Sequence, residues 1–195
     1  MNLKQVKTKV LQLINQYSIN GNLVLDSTNY DYTLRINNLI DTAQKELAMI
    51  IPIVQTSEIT LTPNINATDW NNVPLPDRTI EIKNMYVENY PSYLKIDATN
   101  IIGGNILLDP TLTGTLILEY SKFPSDILDT STDDTALELR TDVQELIPYY
   151  VAGHIYQEDN PSIATLLLNE YENKKLSLKQ TKSYFKIENI FDGLM

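Results

Sequence analysis

The sequence predicts an α+β protein. Two N-terminal and two C-terminal helices form a four-helix unit, and a small antiparallel β-sandwich or barrel is inserted between the pairs. Three observations carry this reading. Apolar residues recur at helical spacing at both ends of the chain, over roughly 2–50 and 141–178. Between 57 and 122 the period drops to two, in five short runs separated by turn residues. Neither helical pair is large enough to hold a comfortable core alone, so the pairs are expected to pack together. The expected boundaries are 1–56 with 123–181 for the helical unit, 57–122 for the β domain and 182–195 for a C-terminal arm.

The first helix spans 2–17, with Leu3, Val6, Val10, Leu13 and Tyr17 on one face and Asn2 as N-cap. Asn-Gly and Asp-Ser pairs in 18–31 interrupt it. The second helix spans 32–50. Its stripe is Tyr32, Ile36, Leu39, Ile40, Ala43 and Leu47, Asp41 supports Lys45 one turn on, and Pro52 ends it.

The strands are read in "SEITLT", "RTIEIKNMYVEN", "SYLKIDA", "NILLD" and "GTLILEYSKF". In the second run the apolar phase slips from Ile80 and Ile82 to Met85 and Val87, which predicts a bulge. "NATDWNNVPLPD", around Trp70, carries too much Asn and Pro for a strand and reads as an exposed loop.

After the acidic connection 123–140, helices are expected over 141–157 and 161–178. Pro148 lacks a backbone donor and clashes with the carbonyl four residues back, so it kinks the third helix or delays its start. Asn160 and Pro161 form an N-cap and N1 pair for the fourth, whose apolar face is Ala164, Leu167, Leu168, Tyr171 and Leu178.

Composition narrows the function classes. The chain has 195 residues, no cysteine and a net charge of -10. Disulfides and thiolate chemistry are excluded. No apolar run approaches the ~18 residues of a membrane span, so no membrane is expected. Free duplex DNA is repelled, because affinity there comes from Lys and Arg neutralising phosphates; an acidic wall instead lets DNA pass.

No catalytic constellation stands out. His154 is the single histidine, and only Glu158 lies one turn away on its face, a poor ligand set that points to a core or interface histidine. "DTSTDD" has no glycine at the sixth position and reads as a solvated loop rather than a calcium loop. There is no GxSxG and no phosphate loop. No enzyme activity, metal or cofactor is expected.

Two features instead suggest contact with other chains. The third helix has a second apolar face, Tyr149, Ala152 and Tyr156, which faces either a neighbouring subunit or the inside of the chain's own bundle. The tail carries Tyr184, Phe185, Ile187, Ile190, Phe191 and Leu194, a set costly to leave in water, and docking on a partner is the favoured reading.

Two segments resemble the head-to-tail connector, or adaptor, proteins of tailed bacteriophages. One is the helix pair "LKQVKTKVLQLINQYS…LRINNLIDTAQKELAMI", with Asn- and Gln-rich polar faces. The other is "DDTALELRTDVQELIPYYVAGHIYQEDNPSIATLLLNEYENKK", where an acidic loop leads through a Tyr-Tyr-Val-Ala helix and a short break to a final helix. Together they cover something over half the chain. The β domain departs from the smallest family members, which are mostly helical.

The resemblance implies a virion protein at the capsid–tail junction, made in the host cytoplasm. It implies a homo-oligomeric ring of twelve copies under the portal protein, whose central channel DNA crosses without specific binding. The tail residues would dock on the portal, and the far surface would receive the next tail component. A rival reading makes the β domain a binding module for carbohydrate or a host surface, with Trp70 and nearby tyrosines as a stacking platform; otherwise Trp70 simply packs onto the sheet.

Overall fold

The computed structural model describes residues 1–14, 30–62, 71–89, 92–96 and 101–184, without the side chains of 30–34, 89, 92 and 180–184. The chain is mixed α+β and divides into two compact units, Met1–Ile51 with Pro124–Met195 and Pro52–Phe123.

In the first unit, α1 (Leu3–Leu13) opens on a reciprocal cap. Asn2 accepts from the Gln5 amide at 3.0 Å, and the Gln5 side chain accepts from the Asn2 amide at 3.0 Å. Its buried residues are Leu3, Val6, Val10 and Leu11. Of the predicted stripe, α2 (Tyr30–Ile50) buries Ile36, Ile40, Ala43 and Leu47, while Leu39 is half-buried and the Tyr32 side chain lies outside the described residues; Ala48 is buried as well. Tyr17 lies outside the described residues.

The expected third helix is two elements, a single turn α3 (Thr141–Gln144) and α4 (Ile147–Ile155). Pro148 sits in the first turn of α4, where its missing donor costs nothing. α5 (Pro161–Tyr184) starts on Asn160, whose Oδ1 accepts from the Ile163 amide at 3.2 Å. It runs six residues past the expected end because no Gly or Pro intervenes. α4 packs against α1, α2 and α5.

Among the described residues the second unit holds seven strands, two more than expected. They are β1 (Ile53–Leu61), β2 (Asn71–Pro74), β3 (Thr79–Asn89), β4 (Ser92–Lys95), β5 (Ile101–Ile102), β6 (Asn105–Leu108) and β7 (Gly114–Lys122). They form two antiparallel sheets, ordered β1-β7-β3-β4 and β2-β6-β5. The barrel alternative is therefore corrected: neither described sheet closes on itself. Both sheets share one core, with Val73, Ile106 and Leu108 from the smaller and Met85, Val87, Leu116 and Leu118 from the larger.

The phase slip in β3 coincides with a register shift between Ile82 and Asn84 against β7, and a second shift lies between Thr79 and Glu81. β2 lies inside the stretch read as a loop. Among the described strands it pairs with β6 alone, and edge position is where a strand tolerates proline; Val73 is its one buried side chain. Gly103 and Gly104, with φ of 60° and 79°, turn the β5–β6 hairpin. The ladder begins with Ile53 opposite Lys122, so the unit's first and last strand residues are paired neighbours.

Candidate functional site

The acidic connection is a strap rather than a free loop. Its backbone follows a polar stripe on α2 at helical spacing. Asn37 Nδ2 donates to the Leu128 carbonyl at 3.0 Å, Asp41 Oδ1 accepts from the Ile127 amide at 2.9 Å, and Gln44 Nε2 donates to the Ser125 carbonyl at 2.7 Å. Lys45 lies 2.6 Å from Asp41 and 2.7 Å from Asp126; these hydrogen bonds, that to Asp126 foremost, hold its ammonium above the usual lysine range.

The strap then closes the N-terminus of α1. The Leu3 amide donates to Thr135 O and the Lys4 amide to Asp133 O, both at 3.0 Å, which satisfies two first-turn donors. Lys7 pairs with Asp133 at 2.8 Å. Buried Gln144 donates to the carbonyls of Leu137 and Leu139. The acids Asp126 and Asp133 thus diverge onto different helices, and no group of three His, Cys, Asp or Glu able to hold a metal occurs among the described residues.

The other polar cluster joins α2, α4 and α5. Tyr171, at 1% exposure, donates its hydroxyl to Glu46 Oε1 at 3.0 Å. Lys175 donates to the same oxygen at 2.7 Å and also bonds Glu172. The Tyr150 ring bridges Tyr171 and His154, with centroids 5.1 and 4.3 Å away. Burial, then the charge of Glu46, pushes the Tyr171 phenol well above the usual range. Burial pulls the Lys175 ammonium down, but its bonds to Glu172 and Glu46 outweigh that and raise it. Both donors therefore stay protonated and converge on one carboxylate. Such a cluster fixes three helices; it leaves neither Tyr171 nor Lys175 as a base at neutral pH.

The second apolar face of α4 is covered in part within the chain. Ala152 is 0% exposed. The Tyr156 hydroxyl donates to the Ile14 carbonyl beside α1, and Lys174 of α5 sits 4.0 Å above the Tyr149 ring. Tyr149 also lines an open groove with Lys9, Gln12, Leu13, Glu145 and Pro148. Burial inside the chain's own helices keeps Ala152 from any outward contact, whereas Tyr149 and Tyr156 are half-buried.

Tyr184 closes α5, but its side chain, and Phe185, Ile187, Ile190, Phe191 and Leu194 entirely, lie outside the described residues; so does Trp70. The expected arm at 182 begins inside α5. No described helix is long and apolar enough to cross a membrane.

Sequence reasoning placed Tyr171 on the apolar face of its helix but missed Glu46 and Lys175, which carry no spacing signal. The strap's partners did leave one, since Asn37, Asp41 and Gln44 lie on one side of a helix. Neither the protein-family models nor the curated proteins searched contain a match to this chain.

Proposed function

We propose that the chain is a structural virion protein of a tailed bacteriophage, forming an oligomeric ring under the portal that joins capsid to tail and extends the DNA channel. The observation that carries this reading is the reach of α5. Its last buried described side chain is Lys175, yet the helix continues to Tyr184, about 13 Å further at 1.5 Å per residue. The apolar sequence 185–195 follows directly. Past Lys175 the described side chains of α5 are exposed or, at Leu178, half-buried, and a helix that leads from there into such a segment suits an arm that docks on another protein.

On this reading the helices act as one four-helix unit, the tail residues meet the portal, and a dodecameric ring passes DNA along an acidic wall, consistent with the charge of -10. The far surface receives the next tail component, and no catalytic step is assigned. The test is the mass in solution by light scattering, alone and with a candidate portal ring, repeated after deleting 182–195. A ring-sized species that appears with the portal and is lost with the tail supports the reading. A monomer indifferent to every portal tried overturns it.

A second reading, the β unit as a module for carbohydrate or host-surface recognition, draws support from its outer strands. Tyr93 and Leu94 on β4 and Ile102 on β5 are 64%, 56% and 66% exposed. Apolar side chains open to water on sheet edges suit a binding surface. Binding of a glycan panel by the whole protein, lost on Tyr93→Ser with Ile102→Ser, would favour it over the ring.

A further inference from the structure

We infer that the outer face of α5 pairs with the same face of a second copy, antiparallel and about a two-fold axis. Leu166, Asn169, Asn173 and Leu176 are all exposed, the leucines by 68% and 51%. Spacings of three, four and three residues set them on one stripe, as in the seam of a paired helix. The opposite side of α5, with Ala164, Tyr171 and Lys175, is already buried in the first unit.

The stripe reads the same in both directions, Leu-x2-Asn-x3-Asn-x2-Leu, centred on Tyr171. An antiparallel copy in register on that centre sets Leu166 against Leu176 of the second copy and Asn169 against Asn173. The axis repeats both layers, which is what a self-complementary patch requires. Asparagines in such a seam fix register by pairing with each other.

The charges of α5 choose the antiparallel arrangement. Glu158 and Asp159 precede the helix, whereas Lys179 and Lys182 lie near its end; Lys174 and Lys175 are already paired with Glu170 and Glu172. In the antiparallel register Lys182 stands abreast of Asn160, next to Asp159, and the two helix dipoles oppose favourably. A parallel copy would set acids on acids and lysines on lysines. Near the axis, Glu170 and Glu172 would approach their own images, but each is neutralised on its own helix, by Lys174 at 3.3 Å and by Lys175.

This contact closes on two copies and does not build a ring. It rests on residues other than the tail, so its failure leaves the connector reading standing, and the reverse also holds.

The absence of cysteine makes an introduced thiol unique. Asn169→Cys and Asn173→Cys proteins are oxidised separately and as a mixture. The antiparallel register predicts that the mixed 169–173 disulfide predominates over both homodisulfides. Sedimentation of the unaltered protein is expected to shift with concentration from 22.2 kDa toward twice that mass. Leu176→Glu, and independently Leu166→Gln, should abolish the shift while leaving the thermal transition unchanged at concentrations where the unaltered protein is a monomer, because both leucines face water in the single chain. A monomer at every concentration, or homodisulfides matching the mixed product, overturns the inference.

Discussion

The Tyr171 hydroxyl donates to Glu46 Oε1 at 3.0 Å, tying α5 to α2 through a side chain that is 1% exposed. Lys175 holds the same oxygen from one turn further along. Tyr171→Phe removes one bond and is expected to cost about 1–1.5 kcal/mol. Glu46→Ala takes the acceptor from both donors and should cost more, about 1.5–3 kcal/mol, held down because Glu46 is 37% exposed and Glu172 still faces Lys175. Urea midpoints at constant slope measure both. A Tyr171→Phe loss exceeding that of Glu46→Ala would contradict the shared-acceptor picture.

Alkaline pH should weaken the fold. Tyr171 is raised by burial and by Glu46, Lys45 by its bonds to Asp126 and Asp41, and Lys175 by bonds to Glu172 and Glu46 that overcome burial. The ordinary values are 10.0 for tyrosine and 10.5 for lysine. Above these the unfolded chain binds fewer protons than the folded one, so stability falls as pH rises. Below about pH 10 these groups contribute no slope. Unfolding midpoints from about pH 8 to 12 should follow this course, with a shallower decline in Tyr171→Phe.

Gly153→Ala should destabilise, although alanine ordinarily improves a helix by about 1 kcal/mol over glycine. Here the added Cβ would lie 2.7 and 2.8 Å from Cγ and Cδ2 of Leu168, where α4 meets α5. The expected net cost is about 1–2 kcal/mol. Adding Leu168→Ala should recover part of it, so the two changes together cost less than their sum in a double-mutant cycle. Strict additivity would place the cost elsewhere.

The β unit should separate core from surface sharply. Ile106 is 0% exposed between the two sheets, and Ile106→Ala is expected to cost about 2–5 kcal/mol. Leu94, 56% exposed on an edge strand, should change stability by less than about 0.5 kcal/mol on truncation to Ala. Thermal unfolding of the whole chain followed by near-ultraviolet signal distinguishes the two.

Local pattern made much of this architecture legible. The stripes of α2 and α5, the Asn2 and Asn160 caps, the late start at Pro148 and the slip in β3 all lie within a few residues of the signals that announce them. β2 and β5 were not legible, because four and two residues carry too little alternation and their pairing to β6 is a tertiary fact. The strap was missed for a related reason. Its acids look solvated in sequence, and only the fold sets Asp126 beside Lys45 and the Thr135 carbonyl over the first turn of α1. The face of Tyr149, Ala152 and Tyr156 was legible as apolar, but periodicity does not say whether the cover comes from the same chain.

The pairing of Ile53 with Lys122 gives the β unit the character of a cassette. Its two ends stand one interstrand spacing apart, about 5 Å, the gap that a tight turn spans. The helical elements therefore meet the whole of Pro52–Phe123 as they would meet a hairpin loop. Replacing it with a short linker, or grafting another domain whose termini are ladder partners, asks the helices for no new geometry, and selection on the inserted module is free to proceed apart from selection on the helices that carry it.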